Sequence, residues 1–203
     1  MADTNTSVVR EFFEANSFSV ITNRKFQLQK AEPPGRYSID MLAANMNYSE
    51  PKTALPMRLQ AEHLRYIPNV IVDVKGWHSY RFSPSLVTSK PELFYFVSDG
   101  PLKFARRIFK DAPFKSILVI SEAPASKTVW SKMEELLRQG GIDHVLEFPT
   151  ILSFLIAHVQ VSNNYVESDT LQLLRFLKRY RLVKGHQLEL PFKKKAGSSE
   201  SEE

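Results

Sequence analysis

The sequence predicts an α/β fold in which a central mixed sheet is flanked by helices, followed by C-terminal helices and a flexible tail. From Pro91 onward, strand-like and helix-like segments alternate, an order typical of parallel strands packed with helices. The segment VIVDVK, residues 70–75, has the β-branched character of a largely buried strand. Apolar residues make up 43% and charged residues 24% of the 203 residues, which is ordinary globular usage. These observations predict one domain over residues 1–183 and a tail over residues 184–203.

The first half of the domain is predicted to form one helix and three strands, because its apolar residues first recur at helical spacing and then alternate. In the second strand we expect Ile39, Met41 and Ala43 to share one face. The predicted elements are, in order, a helix capped by Thr6 or Ser7 and ending near Asn16, a strand within 17–29, a strand within 36–46, a proline-containing loop or short helix over 48–60, and the strand 70–75.

The second half is predicted from its apolar runs and from the proline and glycine residues that open and close helices. The predicted elements are a strand over ELFYFVS (92–98), a helix over PLKFARRIF (101–109), a strand over SILVIS (116–121), a helix over 126–141, a short strand and a helix within 143–160 that begins near Pro149, and a last helix from Ser168 to Val183. The tail has no apolar periodicity after its first few residues, which favours disorder.

Several classes of protein are disfavoured by composition. The chain has no cysteine, which excludes disulfides, thiolate catalysis and cysteine zinc sites and fits a reducing compartment. No segment approaches the roughly 18 to 20 uncharged apolar residues of a membrane span, and the start lacks the pattern of a signal peptide. We therefore expect a cytoplasmic protein without a membrane partner.

The charge balance favours a polyanionic partner. The formal net charge is +5, and three of the acids lie in the last four residues, so the body of the chain is more basic than this value. The basic residues that we expect to contact DNA phosphates are Arg106, Arg107, Lys110 and Arg179. A solvated helix face is the alternative interpretation of each.

Two charges interrupt the apolar strand 70–75. Alternation places Asp73 and Lys75 on the same face, opposite to the valines. One interpretation is a strand that reaches solvent at its end and carries an ion pair. The other interpretation is a metal site, because the strand within 36–46 also carries a lone acid, Asp40. If the two strands are neighbours, the two carboxylates need a cation between them, and Mg²⁺ prefers such oxygen ligands.

The pattern of helix, strand, strand with IDxxA and strand with an apolar run ending in DxK resembles the core of the PD-(D/E)xK nuclease superfamily, the restriction-endonuclease-like fold. The resemblance covers roughly residues 7–120 in the order α-β-β-β-α-β. It implies that Asp40, Asp73 and the Val74 carbonyl bind Mg²⁺ or Mn²⁺ and that Lys75 supports the attacking water. Many members carry a glutamate early in the first helix, whereas this stretch of the chain offers Thr6 and Val8.

The tail contains a second motif, QLELPF, at residues 187–192. Closely spaced apolar residues are unusual in a disordered tail, so they indicate a docking peptide. The motif resembles the peptide by which bacterial polymerases and regulators bind the sliding clamp. The resemblance implies that the binding residues are Gln187, Leu188, Leu190 and Phe192. The alternative is a last strand that folds back onto the domain.

The two resemblances together imply a bacterial, metal-dependent DNA endonuclease that hydrolyses phosphodiester bonds and is recruited to DNA by the sliding clamp, with other subunits of a DNA-processing complex as further expected partners. Repair, transposition and anti-phage defence all suit such an enzyme. The alternative is a non-catalytic DNA-binding or assembly subunit that keeps the same fold.

Overall fold

A computed structural model describes residues 4–22, 39–79 and 82–183, and within them the chain forms an α/β structure, as predicted. The helices are α1 (Thr4–Ala15), α2 (Pro84–Ser89), α3 (Asp99–Phe109), α4 (Lys127–Gln139), α5 (Phe148–His158) and α6 (Asp169–Arg179), with 3₁₀ helices at Ala61–Tyr66 and Pro91–Val97. The strands are β1 (Phe18–Thr22), β2 (Met41–Asn45), β3 (Asn69–Lys75), β4 (Lys115–Ile120) and β5 (His144–Glu147).

The strands form one mixed sheet in the order β1-β2-β3-β4-β5. Neighbours are antiparallel from β1 to β3 and parallel from β3 to β5. Helical segments connect the parallel strands, since a parallel pair needs a crossover that returns the chain to the starting end of the sheet. The end at which β3, β4 and β5 finish, and at which β2 begins, is called the carboxyl end of the sheet below; the opposite end is the amino end.

A helical layer covers each face of the sheet. The first layer contains α1, α5 and α6, and the second contains α2, α3 and α4 together with the 3₁₀ helix Pro91–Val97. The predicted alternation of β3 is confirmed, because Val70, Val72 and Val74 pack in the first layer while Ile71 packs in the second. The central strand is therefore buried on both faces, as expected for a strand inside an α/β sheet.

The predicted strand ELFYFVS is wrong, because these residues form the 3₁₀ helix Pro91–Val97. Pro91 stands at the start of this helix and fixes a helical φ there. Leu93 and Phe96 are its buried residues, and their spacing of three matches the three residues per turn of a 3₁₀ helix. Both sides of β3 and of β4 are already paired, so the sheet has no central position for another strand between them.

Three smaller differences separate the predicted elements from the observed ones. Ile39 packs in the second layer with Leu42, unlike Met41 and Ala43, because it precedes the strand and does not follow its alternation. The short helix α2, capped by Ser83, was not predicted. The last helix ends at Arg179 rather than Val183, since Tyr180 caps it and Arg181 has a φ of 58°.

Residues 48–60 contain no helix, and part of this segment extends the sheet beyond β5. Arg58 forms a parallel bridge with Val145. The Leu59 N–H donates to the Val145 carbonyl at 2.9 Å, and the Val145 N–H donates to the Met57 carbonyl at 2.7 Å. The segment 57–59 therefore covers the backbone edge of β5, and Arg58 is held beside that strand.

No helix within the described ranges is long and apolar enough to cross a membrane. The tail and its QLELPF motif lie outside the described residues, so both interpretations of the motif stay predictions.

Candidate active site at the carboxyl end of the sheet

Asp40 and Asp73 lie opposite each other on neighbouring antiparallel strands. Met41 pairs with Val72, and the Asp40 N–H donates to the Val72 carbonyl at 3.1 Å, so the register continues to Asp40 and Asp73. The two carboxyl groups are close enough that Asp40 raises the pKa of Asp73. The structure thus brings together the two acids that the sequence analysis paired.

The backbone of β3 fixes the Asp40 carboxylate. Its Oδ2 accepts a hydrogen bond of 2.7 Å from the Val74 N–H. Val74 is the residue between Asp73 and Lys75, so the segment that carries the two charges also orients the carboxylate on the neighbouring strand.

Lys75 forms an ion pair with Asp73. Its Nζ lies 2.7 Å from Asp73 Oδ2, with the two side chains 18% and 3% exposed. The Lys75 ammonium is the partner of this buried oxygen among the described residues, through an ion pair rather than a hydrogen bond that meets geometric criteria. The interpretation of β3 as a strand that reaches solvent at its end and carries an ion pair is met in part: the ion pair is present and Lys75 is partly exposed, but Asp73 is only 2% exposed.

Burial is the main influence on Asp73. It raises the pKa of this carboxyl to about 7, the Lys75 ammonium opposes the rise, and the Asp40 carboxylate adds to it. An environment that disfavours the ionised form to this degree, beside a second acid, is typical of functional sites. The favourable partner for two such carboxylates is additional positive charge.

The donor set fits a hard divalent cation. Mg²⁺ is commonly held by one or two carboxylates and keeps several waters or substrate oxygens. Asp40 and Asp73 supply two carboxylates, and the pKa of Asp73 is raised although the Lys75 ammonium lies 2.7 Å from its Oδ2, so further positive charge at this pair would be favourable. The described residues contain no group of three or more histidine, aspartate or glutamate side chains placed to hold a metal, so the protein would contribute two carboxylates rather than a complete cage.

Helix α1 brings an amide, not a carboxylate, to this end of the sheet. The Asn5 side chain lies against Gly76, where a Cβ would come within 2.2 Å of Asn5 Nδ2. His78 Nε2 donates to Asn5 Oδ1 at 3.0 Å, since a carbonyl oxygen only accepts. Glu11 lies six residues farther along the helix, about 9 Å from Asn5, and pairs with Arg10.

A turn follows Lys75 and leaves Trp77 partly buried. The N–H groups of Trp77 and His78 donate to the Lys75 and Gly76 carbonyls at 2.8 and 2.9 Å. Trp77 stacks on Phe82, with ring centroids 5.8 Å apart, and packs in the second layer. This contact gives Trp77 a structural role beside the acids.

The four basic residues predicted to contact DNA lie away from the acids. Arg106, Arg107 and Lys110 are exposed at the C-terminal end of α3, a few residues before β4 begins opposite Val70. That position is at the amino end of the sheet. Arg179 follows Lys178, whose Nζ donates to the Ile156 carbonyl near the C-terminal end of α5. Since α5 begins at the carboxyl end, this contact also lies away from Asp73.

Another basic residue, Arg58, lies at the carboxyl end of the sheet. Arg58 Nη2 donates to Glu147 Oε2 at 2.7 Å, and its guanidinium lies 5.9 Å from the centre of the Trp130 ring. Neither Arg58 nor Glu147, which lie 89 residues apart, was predicted from the sequence. No local periodicity marks Arg58, and Glu147 lies at the last position of a four-residue strand.

Comparison with known proteins found no matching family model, no similar curated protein and no similar solved structure.

Proposed function

We propose that this protein is a metal-dependent DNA endonuclease with a restriction-endonuclease-like core. The observation that carries the proposal is the convergence of Asp40, Asp73 and Lys75 at the carboxyl end of the sheet. Two carboxylates and an amine from neighbouring strands are the groups that the PD-(D/E)xK resemblance implies.

The order of elements gives the proposal further support. Helix α1 is followed by three antiparallel strands, a helical connection that ends in α3, and β4, which lies parallel to β3. This is the α-β-β-β-α-β order of the resemblance. The strand that carries DxK lies in the middle of the sheet, with the Asp40 strand as its antiparallel neighbour.

Each residue has a role that follows from its position. Asp40 and Asp73, with the Val74 carbonyl, would hold Mg²⁺ or Mn²⁺, which when bound supplies positive charge for the phosphoryl oxygens and lowers the pKa of water. The Val74 N–H keeps the Asp40 carboxylate oriented. Lys75, with its ammonium only partly exposed, orients the attacking water and stabilises negative charge that develops on the phosphate.

The cleavage activity can be tested directly. We expect the full chain to cut plasmid, single-stranded or branched DNA in Mg²⁺ or Mn²⁺, and Asp40→Asn to reduce the rate about 100-fold or more, because the variant removes one of the two carboxylates. Product formation on gels measures the rate.

Asp143→Asn is the matched control, since Asp143 lies just before β5 at the amino end and pairs with Lys115 at 3.0 Å. Equal cleavage by wild type and Asp40→Asn would contradict the proposed site. Salt-sensitive DNA binding without cleavage by the wild type would instead favour the non-catalytic DNA-binding or assembly subunit.

Recruitment by a bacterial sliding clamp belongs to the same proposal and depends on the QLELPF motif alone. A peptide of residues 184–203 is expected to bind the clamp weakly, because a flexible segment must be ordered on binding. Titration of labelled peptide measures the affinity, and Phe192→Ala should reduce it at least tenfold, since few buried anchors supply most of the binding energy. Unchanged affinity of this variant would remove the clamp from the list of partners.

A further inference from the structure

We infer that Arg58 binds a phosphate of the DNA backbone beside the acid pair, so that the substrate lies across the carboxyl end of the sheet from β3 to β5. The inference rests on the proposed function and adds the path of the substrate to it. It concerns a residue that neither the sequence motifs nor the resemblance identifies.

The Arg58 guanidinium is held rigidly by a buried carboxylate. Glu147 Oε2 accepts a hydrogen bond of 2.7 Å from Nη2, and Oε1 lies 2.5 Å from Nε in an ion-pair contact. The Glu147 side chain is 4% exposed, whereas that of Arg58 is 44% exposed. The Trp130 ring supports the guanidinium through a cation–π contact. The Glu147 carboxylate is therefore buried, whereas the Arg58 side chain remains accessible.

This arrangement leaves donors for a ligand. A guanidinium has five N–H groups; one on Nη2 donates to Glu147 Oε2, and Nε is taken up by the ion-pair contact with Oε1, which leaves three N–H groups for a ligand. The planar fork matches the oxygens of a phosphate, and an arginine that is already oriented loses less side-chain freedom on binding.

Strand register places Arg58 near the acid pair and on the same face. Lys75 pairs with Ile120, which pairs with Glu147, so Lys75 and Glu147 lie in one row across three strands. Ile120 and Val145 pack in the second layer, and Glu147 follows Val145 by two positions, so it shares the face of Lys75. The backbones of Lys75 and Glu147 are two strand spacings apart, a distance of about 10 Å. A DNA strand that rises about 3.4 Å per nucleotide can reach both within a few nucleotides.

A purely structural role predicts a different result. The segment 57–59 is already attached to β5 by two backbone hydrogen bonds, independently of the Arg58 side chain. A structural ion pair would affect the thermal midpoint of unfolding and leave DNA affinity unchanged once folding is equal. A phosphate contact would lower DNA affinity and also its dependence on salt.

The test measures binding of a fluorescent duplex DNA by anisotropy in EDTA, where no cleavage occurs, over a range of salt concentrations. Arg58→Lys keeps the charge but loses the fork. The double variant Arg58→Gln/Glu147→Gln removes the cation without leaving an unpaired buried carboxylate. Arg138→Gln is the matched control, because Arg138 also pairs with a glutamate, Glu134, and is 53% exposed at the far end of α4.

The double variant is expected to bind about tenfold more weakly than wild type and to lower the salt slope by about one. Arg58→Lys should bind severalfold more weakly at an unchanged unfolding midpoint, and Arg138→Gln should resemble wild type. Arg58→Lys that binds like Arg138→Gln would overturn the inference while the proposed function stands. A wild type that neither binds nor cuts DNA would overturn both. If the double variant does not fold, Arg58→Lys decides the question.

Discussion

Asp73→Asn is expected to make the protein more stable at pH 8 and, at the same time, to reduce metal-dependent cleavage by about 1000-fold or more. Cleavage falls because the variant removes the buried carboxylate at the centre of the candidate site. Stability rises because the folded protein no longer holds a poorly compensated negative charge in its interior. The same substitution is thus expected to lower the cleavage rate and to raise stability, because the buried carboxylate serves cleavage but destabilises the fold.

The stability gain depends on pH with a definite sign. Burial raises the pKa of Asp73 to about 7, whereas an aspartate in the unfolded chain titrates near pH 3.9, an approximate reference value. Between these values the folded state binds more protons than the unfolded state, so wild-type stability falls as pH rises from about 4 to about 7. Asparagine has no charge to lose, and the gain at pH 8 is up to about 4 kcal/mol. Calorimetric unfolding in EDTA at pH 4 and pH 8 measures it.

Asp143 supplies a control of the opposite sign. Burial alone would raise the pKa of this carboxyl, but the Ser116 N–H and the Lys115 ammonium outweigh burial and lower it. Asp143→Asn should therefore destabilise the protein at pH 8. A decrease in stability for Asp73→Asn as well would show that the Asp73 charge is well compensated.

Lys75→Met is expected to lower stability at pH 8, unlike Asp73→Asn, and to reduce cleavage, as Asp73→Asn does. The Asp73 carboxylate then loses the cation that lies 2.7 Å from it. Breaking a buried pair typically costs about 3 to 5 kcal/mol, and we expect about 2 kcal/mol at pH 8 because Asp73 can take up a proton. Cleavage should fall about 100-fold, since the variant lacks the amine that we propose orients the attacking water. Urea unfolding and initial cleavage rates measure the two effects.

The double variant Asp73→Asn/Lys75→Met tests whether the two effects share one origin. It should recover most of the stability lost in Lys75→Met, because no unpaired carboxylate remains, and it should stay inactive. Lys115→Met is the comparison for a surface pair, as the Lys115 side chain is 49% exposed, and should change stability by less than about 1 kcal/mol. Additive effects of Asp73→Asn and Lys75→Met would contradict direct coupling.

Local patterns were sufficient to predict the elements that form the site. The alternation in residues 70–75 predicted which side chains of β3 share a face, and the two lone acids predicted that Asp40 and Asp73 would meet. These features were predictable because strand alternation depends on neighbouring residues only. ELFYFVS was mispredicted because a short apolar run fits a strand and a buried 3₁₀ helix equally well, and only the paired sides of β3 and β4 exclude the strand.

Basic residues other than Lys75 were not predictable in the same way. Basic residues on predicted helices were selected for their charge, but charge does not reveal the end of the sheet at which a helix finishes. The contact between Arg58 and Glu147 joins two segments whose proximity depends on the complete strand order. Such a contact has no local signature, and it emerges only when the register of β3, β4 and β5 is known.

The bridge between residue 58 and residue 145 also affects how the chain can be divided. A segment that precedes β3 completes the far side of the sheet, and β5, which it joins, comes after α4. The edge of the sheet next to β5 is thus formed by an earlier and a later part of the sequence together, rather than by strands in strict chain order. A break in the chain between residue 58 and residue 145 would separate the two segments that form this bridge. Residues 57 to 147 should therefore unfold cooperatively, with no independently stable fragment on either side of the break.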